Sequence, residues 1–409
     1  MALSGTIVVL LVVAAVVAVV ARKLAIPYSI ALVIAGLLLG LSGTLHPPVL
    51  TRELLFAVFL PGLIFEAAVE LDADEFWRNR FTILSLALPG VVLATPIVAA
   101  GLVFSLAPAD IAISWGAAFV FATLIAATDP IAVVSLVRAL GAPTRLGVLI
   151  ESESLLNDGT AAVAFMTTVA FVLGSHPSLF EAAVRFVYAI AAAIGLGVAV
   201  GLATRRLVAW LDDARVIITI TAVTAYGSFI VAESIGASGV IAVVTAGLLV
   251  GDEPSRRAMA PAARQALHTF WDYVAFALNS IVFLLIGFQA GIGSLLRSWL
   301  PILVAFVVVT VARIIATYAV VAVGPRAERL PKTWTAVLAW SGLRGSLAMV
   351  LALSLPPEMP QRDLVVVMTV GVVVLSILVQ GLTAGPLLRR LRVTEEEASP
   401  AQVGDNSSP

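Results

Sequence analysis

Residues 121–159 read FATLIAATDPIAVVSLVRALGAPTRLGVLIESESLLNDG. Two largely apolar runs flank the turn Gly141-Ala142-Pro143, and each carries acids in its interior: Asp129 in the first, Glu153 and Asp158 in the second. Asp129 precedes Arg138 by roughly 13 Å of helix, at 1.5 Å per residue, which places it near the middle of a bilayer core of about 30 Å. Asp158 lies at a comparable distance beyond the turn, so a helical hairpin brings the two aspartates to matching depth. Pro130 cannot donate to the carbonyl of Ala126, and its ring disturbs the helix there. The stretch predicts a broken membrane helix packed against a second helix that presents carboxylates.

The rest of the chain supports a membrane setting. Of 409 residues, 61% are hydrophobic and 12% charged, about half the charge of a soluble domain. Segments 1–21, 81–109, 159–180, 186–204, 273–296 and 364–388 contain no Asp, Glu, Lys or Arg, and each matches the roughly 20 apolar residues that cross a bilayer. The net charge of −1 gives no field suited to nucleic acid. With no cysteine, disulfide, thiolate and Cys-based metal chemistry are excluded. His46, His176 and His268 lack ligand spacing and read as solvated loop residues, and no cofactor is expected. The first apolar stretch is followed, not preceded, by Arg22 and Lys23, so it is expected to be a retained helix.

Breaking the chain at charged and Pro/Gly-rich points predicts an all-α membrane protein of about thirteen spans. They lie near 4–21, 27–44, 53–71, 81–106, 112–137, 146–173, 183–204, 216–233, 237–251, 270–292, 299–323, 333–355 and 363–388. Of the 24 basic residues, Arg52, Arg185, Arg297 and Arg362 fall on one side, Arg313 and Arg344 lie within the membrane, and the remainder fall on the opposite side. The positive-inside rule then puts the N-terminus outside and the C-terminus in the cytoplasm. Spans 1–6 and 8–13 run in opposite senses, as two inverted six-helix repeats would. Spans 5 and 12 are equivalent in such a repeat. Each has an interrupted polar centre, Thr128-Asp129-Pro130 in one and Ser341-Gly342-Leu343-Arg344-Gly345-Ser346 in the other. Transporters of this design bind substrate at the midplane on discontinuous helices. Residues 1–392 form the transmembrane domain, and 393–409, polar, acidic and Pro-containing, read as a disordered cytoplasmic tail.

Ionisable residues at membrane depth are costly and mark function. The deep acids Glu66, Asp129, Glu153 and Asp158 outnumber Arg313 and Arg344. Carboxylates left unpaired in a low dielectric must be protonated or bind a cation, which is the choice a cation/proton exchanger makes. Ser154 and Asp158 share a helix face, as do Glu153 and Asn157. Hydroxyl, carboxylate and freed backbone oxygens near Thr128 are suitable ligands for sodium, a hard cation. Glu153 and Arg344, on spans 6 and 12, are expected to form a structural ion pair. Glu66 is either a peripheral ligand or a partner of Arg313. Glu151 is expected to line a cytoplasmic funnel, and Asn279 and Ser280 to make interhelical hydrogen bonds.

Ala126-Ala127-Thr128-Asp129-Pro130, Glu151-Ser152-Glu153-Ser154-Leu155-Leu156-Asn157-Asp158-Gly159 and Gly342-Leu343-Arg344-Gly345 together resemble the signature of the cation/proton antiporter 1 family. That family holds the archaeal and bacterial NhaP exchangers and the sodium/proton exchangers of animal and plant plasma membranes. Segments 60–71 and 279–289 are similar to its bacterial members. The resemblance implies a core with crossed broken helices 5 and 12, interleaved in sequence with a dimerisation domain. It further implies a homodimer in the bacterial inner membrane that exchanges one Na⁺ (or Li⁺) for one proton by an elevator motion, serving sodium and pH homeostasis. Carried over by motif, Asp158 holds the ion or proton, with Ser154, Asp129 and Thr128 as co-ligands, and Glu66 is a looser match to a nearby acid. Asn157 is counted with the ion-site residues and marks the electroneutral branch. The resemblance likewise makes Glu153 and Arg344 a pair. The long cytoplasmic tails of the eukaryotic relatives are missing here, so tail-mediated regulation does not carry over.

Three other functions are weighed. A K⁺/H⁺ antiporter would share the fold, because side-chain identity does not fix site size. A cation channel would carry far larger flux. An intramembrane aspartyl protease would also place two aspartates on adjacent helices, but neither Asp129 nor Asp158 lies in a Gly-x-Gly-Asp segment.

Overall fold

The structure, a computed structural model, describes residues 3–24, 28–42, 55–175, 178–289, 292–324, 328, 330–391 and 393. Among them the regular elements are all helical and no strand occurs. A helix satisfies its own backbone hydrogen bonds, which hydrocarbon cannot do for it. Seven of the described helices are long and apolar enough to cross a membrane, and shorter apolar helices accompany them. The expected tail lies outside the described residues apart from Val393, which is buried among Trp334, Leu388 and their neighbours.

The expected spans at 112–137 and 333–355 are each two helices. The first broken helix comprises Trp115–Leu124 and Ile131–Ala139. The second comprises Lys332–Trp340 and Ser346–Leu353. The helix expected over 270–292 instead runs Pro261–Gln289, because the polar turn 261–269 continues the amphipathic pattern and Pro261, with its fixed φ, suits a first helical turn. The segment expected at 53–71 enters through a π-helical turn, Leu55–Phe59, before Leu60–Glu70.

The helices pack as two sets. One holds Leu3–Leu24, Tyr28–Ser42, Leu60–Glu70, Leu179–Val208, Ala214–Ser234, Gly239–Val250 and Pro261–Gln289. The other holds Pro89–Leu106, both broken helices, Thr144–Ala170, Trp299–Val323 and Arg362–Leu375, and contacts between the sets are sparser than within them. Close backbone approach holds the first set together. A Cβ at Gly36 would overlap the carbonyl of Leu284, and one at Gly287 the carbonyl of Val33. Without competition between water and hydrocarbon to drive helices together, this close packing supplies the association energy. Between the sets, Gly159 lies against Ile241, 2.5 Å from where its Cβ would stand.

Candidate functional site

The first broken helix stops at Leu124 because Pro130 removes a donor and the chain finds other partners for its freed groups. The carbonyl of Ala126, which Pro130 cannot reach, accepts from Asn157 Nδ2 at 2.9 Å and from Arg344 at 3.0 Å. Arg344 also donates to the carbonyls of Ile125 at 2.6 Å and Ala127 at 3.5 Å. A buried guanidinium thus meets the negative end of the half-helix Trp115–Leu124, where its charge is favourable. The helix restarts at Ile131, whose N–H donates to Asp129 Oδ1 at 3.1 Å. The second broken helix meets the first directly, with Asp129 N–H donating to the Leu343 carbonyl at 2.7 Å.

Glycine at position 345 makes this contact possible. A Cβ there would overlap Asp129 Cβ and stand 2.6 Å from Oδ2. Gly345→Ala is therefore expected to push Asp129 out of place and to cost about 1–3 kcal/mol by overpacking. Thermal unfolding of the purified variant checks this; an unchanged midpoint would show that the breaks are less tightly joined.

Against these breaks lies the long helix Thr144–Ala170. Asp158 Oδ1 accepts from the Thr128 N–H at 3.2 Å, and Thr128 Oγ1 donates to Ser154 Oγ at 3.0 Å. Glu66, Thr128, Asp129, Ser154 and Asp158 line one cavity of about 230 Å³, together with Glu151, Arg138 and Asn279. Neither Asp129 nor Asp158 makes an ion pair among the described residues. The cavity lies between the two helix sets, with Glu66 on one and the aspartates on the other. Glu151, expected at a funnel, pairs with Arg138 at 3.1 Å beside this cavity.

Several expectations are corrected. Glu153 pairs with Arg313, not Arg344: Arg313 Nη1 and Nη2 reach its two oxygens at 2.7 Å each. The reason is that the broken helix creates carbonyl acceptors that claim Arg344, leaving Arg313 for the carboxylate. Glu66 accordingly has no pair with Arg313. Asn157 does not reach the cavity; its helix turns it the other way, toward a small space lined by Arg313 and Arg344. Its amide joins the Ala126 carbonyl, Thr128 Oγ1 and Glu153 Oε1. Ser280 does make the expected interhelical bond, 2.7 Å to Tyr28 Oη, whereas Asn279 faces the cavity. His268 is not a solvated loop residue, since it sits within Pro261–Gln289 and pairs with Glu70. His46 and His176 lie outside the described residues.

Sequence reasoning leaves Arg313 open as a partner of Glu66 and does not bring it to Glu153. Depth along the chain put both arginines inside the membrane, but only the geometry of the break tells which one faces Glu153.

An oxygen-lined cavity, set where two broken helices meet and holding two aspartates that make no ion pair among the described residues, defines a helical membrane protein with ionisable groups buried in its bundle. The family described as sodium/hydrogen exchanger, transmembrane, matches residues 8–390. The chain is 35% identical over 405 residues to the Na(+)/H(+) antiporter NhaG of Bacillus atrophaeus, spanning 94% of this chain and 74% of that protein. It is 38% identical over 380 residues to the low-affinity Na(+)/H(+) antiporter NhaS1 of Synechocystis, spanning 90% and 70%. The fold is similar to that solved for the sodium proton antiporter MjNhaP1 of Methanocaldococcus jannaschii, with a TM-score of 0.79 at 18% identity over 95% of this chain and 98% of that one. The chain belongs to the sodium/hydrogen exchanger family, within the cation/proton antiporter 1 group.

Proposed function

We propose that this protein is a secondary transporter that exchanges Na⁺ or Li⁺ for H⁺, one for one, at Asp158. The observation that carries this reading is that Asp158 and Asp129 share a cavity while both buried arginines are committed elsewhere, Arg313 to Glu153 and Arg344 to backbone carbonyls. Two carboxylates without a basic partner need a proton or a metal cation. Asp158 takes either, and Asp129, Ser154, Thr128 and Glu66 supply further oxygens. The named activities of NhaG and NhaS1 point the same way.

The geometry supports the following cycle. A cation enters the cavity and displaces the proton on Asp158; the helix set bearing the two breaks then moves past the other set, and the ion leaves on the far side. Sparse packing between the sets supports an elevator motion of this kind. In the proposed arrangement thirteen spans form two inverted repeats, the N-terminus lies outside, and a homodimer in the bacterial cell membrane fixes the helix set that carries Glu66. With Asn157 neutral, the protonated and the sodium-loaded sites carry equal charge, so exchange is electroneutral.

The test is proton efflux from proteoliposomes on addition of Na⁺, Li⁺ or K⁺ separately. Sodium and lithium are expected to drive it. A response to potassium alone would make this a K⁺/H⁺ exchanger of the same fold. Because both ions occupy one carboxylate, lowering the external pH is expected to raise the apparent sodium KM while leaving the maximal rate at saturating sodium unchanged. A fall in maximal rate with constant KM would place the proton at a separate site.

A further inference from the structure

Two chambers meet beside the site. The cavity that holds Asp158 adjoins a second of about 490 Å³, bounded by Tyr28, Asp272, Phe276 and Phe283. Ile131, Ser135 and Asn279 line both and so form the neck between them. Ser135 Oγ spends its proton on the Ile131 carbonyl at 2.7 Å, which leaves its lone pairs to the neck.

Asn279 is the unusual member. Its neighbour Ser280 is fully engaged, bonding Tyr28 Oη at 2.7 Å and the Phe276 carbonyl at 2.5 Å. Asn279 itself makes no side-chain hydrogen bond with any described residue. A carboxamide offers two donors and an acceptor oxygen with two lone pairs, and setting one in a membrane helix without partners is costly unless water or an ion meets it. It also stands on Pro261–Gln289, in the helix set opposite Asp158. Asp272 lines the outer chamber and Glu66 the inner one, while the charge of Glu151 is met by Arg138; acids on both sides of the neck favour cations there over anions.

Building on the exchange reading above, we propose that Asn279 is a cation-contacting selectivity residue, whose amide oxygen replaces one water of the cation passing from the Asp272 chamber to Asp158. An amide oxygen is a hard, neutral ligand that compensates dehydration without trapping the ion. The compensation matters most for small ions, which hold water most tightly.

The test is proteoliposome exchange by wild type, Asn279→Ala and Asn279→Ser, with Li⁺, Na⁺ and K⁺ titrated separately. Asn279→Ala is expected to raise the apparent KM for Li⁺ and Na⁺ about tenfold, the worth of one bond to a charged group. Any response to K⁺ is expected to shift less than that to Na⁺, and the maximal rate is expected to be kept. Asn279→Ser, which retains an oxygen, is expected to recover part of the affinity. Unchanged KM values in Asn279→Ala would overturn the proposal. So would an equal loss for every ion together with a lower maximal rate or a lower melting temperature, the mark of a merely structural amide. Wild type that fails to respond to any cation would instead sink the exchange reading on which the proposal rests.

Discussion

Asp158→Asn is expected to reduce sodium-driven proton flux to the level of protein-free liposomes. Asparagine keeps the shape and can still accept the Thr128 N–H, which Asp158 receives at 3.2 Å, so the fold survives. What it loses is the ability to bind or release a proton and the charge that offsets a bound cation. Both halves of the exchange cycle stop together, with no residual slow turnover from Asp129, which is held by Ile131 and Leu343 across the two breaks. The purified variant should elute and melt like wild type. Sodium-driven flux at the wild-type rate in a folded Asp158→Asn protein would remove the carrier assignment.

Arg313→Met is expected to be the most damaging single change to stability. Glu153, 1% exposed, would lose both of its 2.7 Å bonds to the guanidinium. A buried charge stripped of its partner costs about 3–5 kcal/mol. Glu153→Gln/Arg313→Met removes both charges and should recover much of that loss, because similarly sized neutral residues can replace a buried pair with little penalty. Arg344→Met behaves differently. It frees the carbonyls of Ile125, Ala126 and Ala127 at the end of a half-helix, and Glu153→Gln does not rescue it, since Arg344 makes no bond to that carboxylate. Thermal melts of the four singles and doubles settle the pairing: rescue of Arg344→Met by Glu153→Gln, with none for Arg313→Met, would restore the pair that sequence reasoning expected.

The positions of the helices were largely legible because charges and prolines punctuate apolar runs, and hydrocarbon permits little besides helix between them. Both breaks were also legible. Thr128-Asp129-Pro130 removes a backbone donor, and Ser341 to Ser346 concentrates glycine, serine and arginine where an apolar turn would otherwise stand. The carboxylate cluster followed from depth and helical spacing, which bring Ser154 and Asp158 to one face and turn Glu153 and Asn157 to another. What depth did not reveal was direction around the helix axis. Glu153 could face either arginine until the fold showed that broken backbone, too, is a partner for a buried guanidinium. The same blindness put Asn279 at a helix–helix hydrogen bond and Asn157 at the cavity, when rotation about their helices turns Asn279 to the cavity and Asn157 to the Ala126 carbonyl. His268 was misplaced because the helix begins a full two turns earlier than its apolar centre suggested.

Sodium and proton binding at one carboxylate is most directly tested by counting protons as sodium binds. Purified protein in lightly buffered detergent solution, held at a pH where the site is protonated, is titrated with Na⁺ while released protons are measured with an indicator dye and bound sodium with a radiotracer. One-site exchange predicts close to one proton released for each sodium bound, and neither event in Asp158→Asn. Sodium binding with no proton release, or a full proton release that persists in Asp158→Asn, would contradict it.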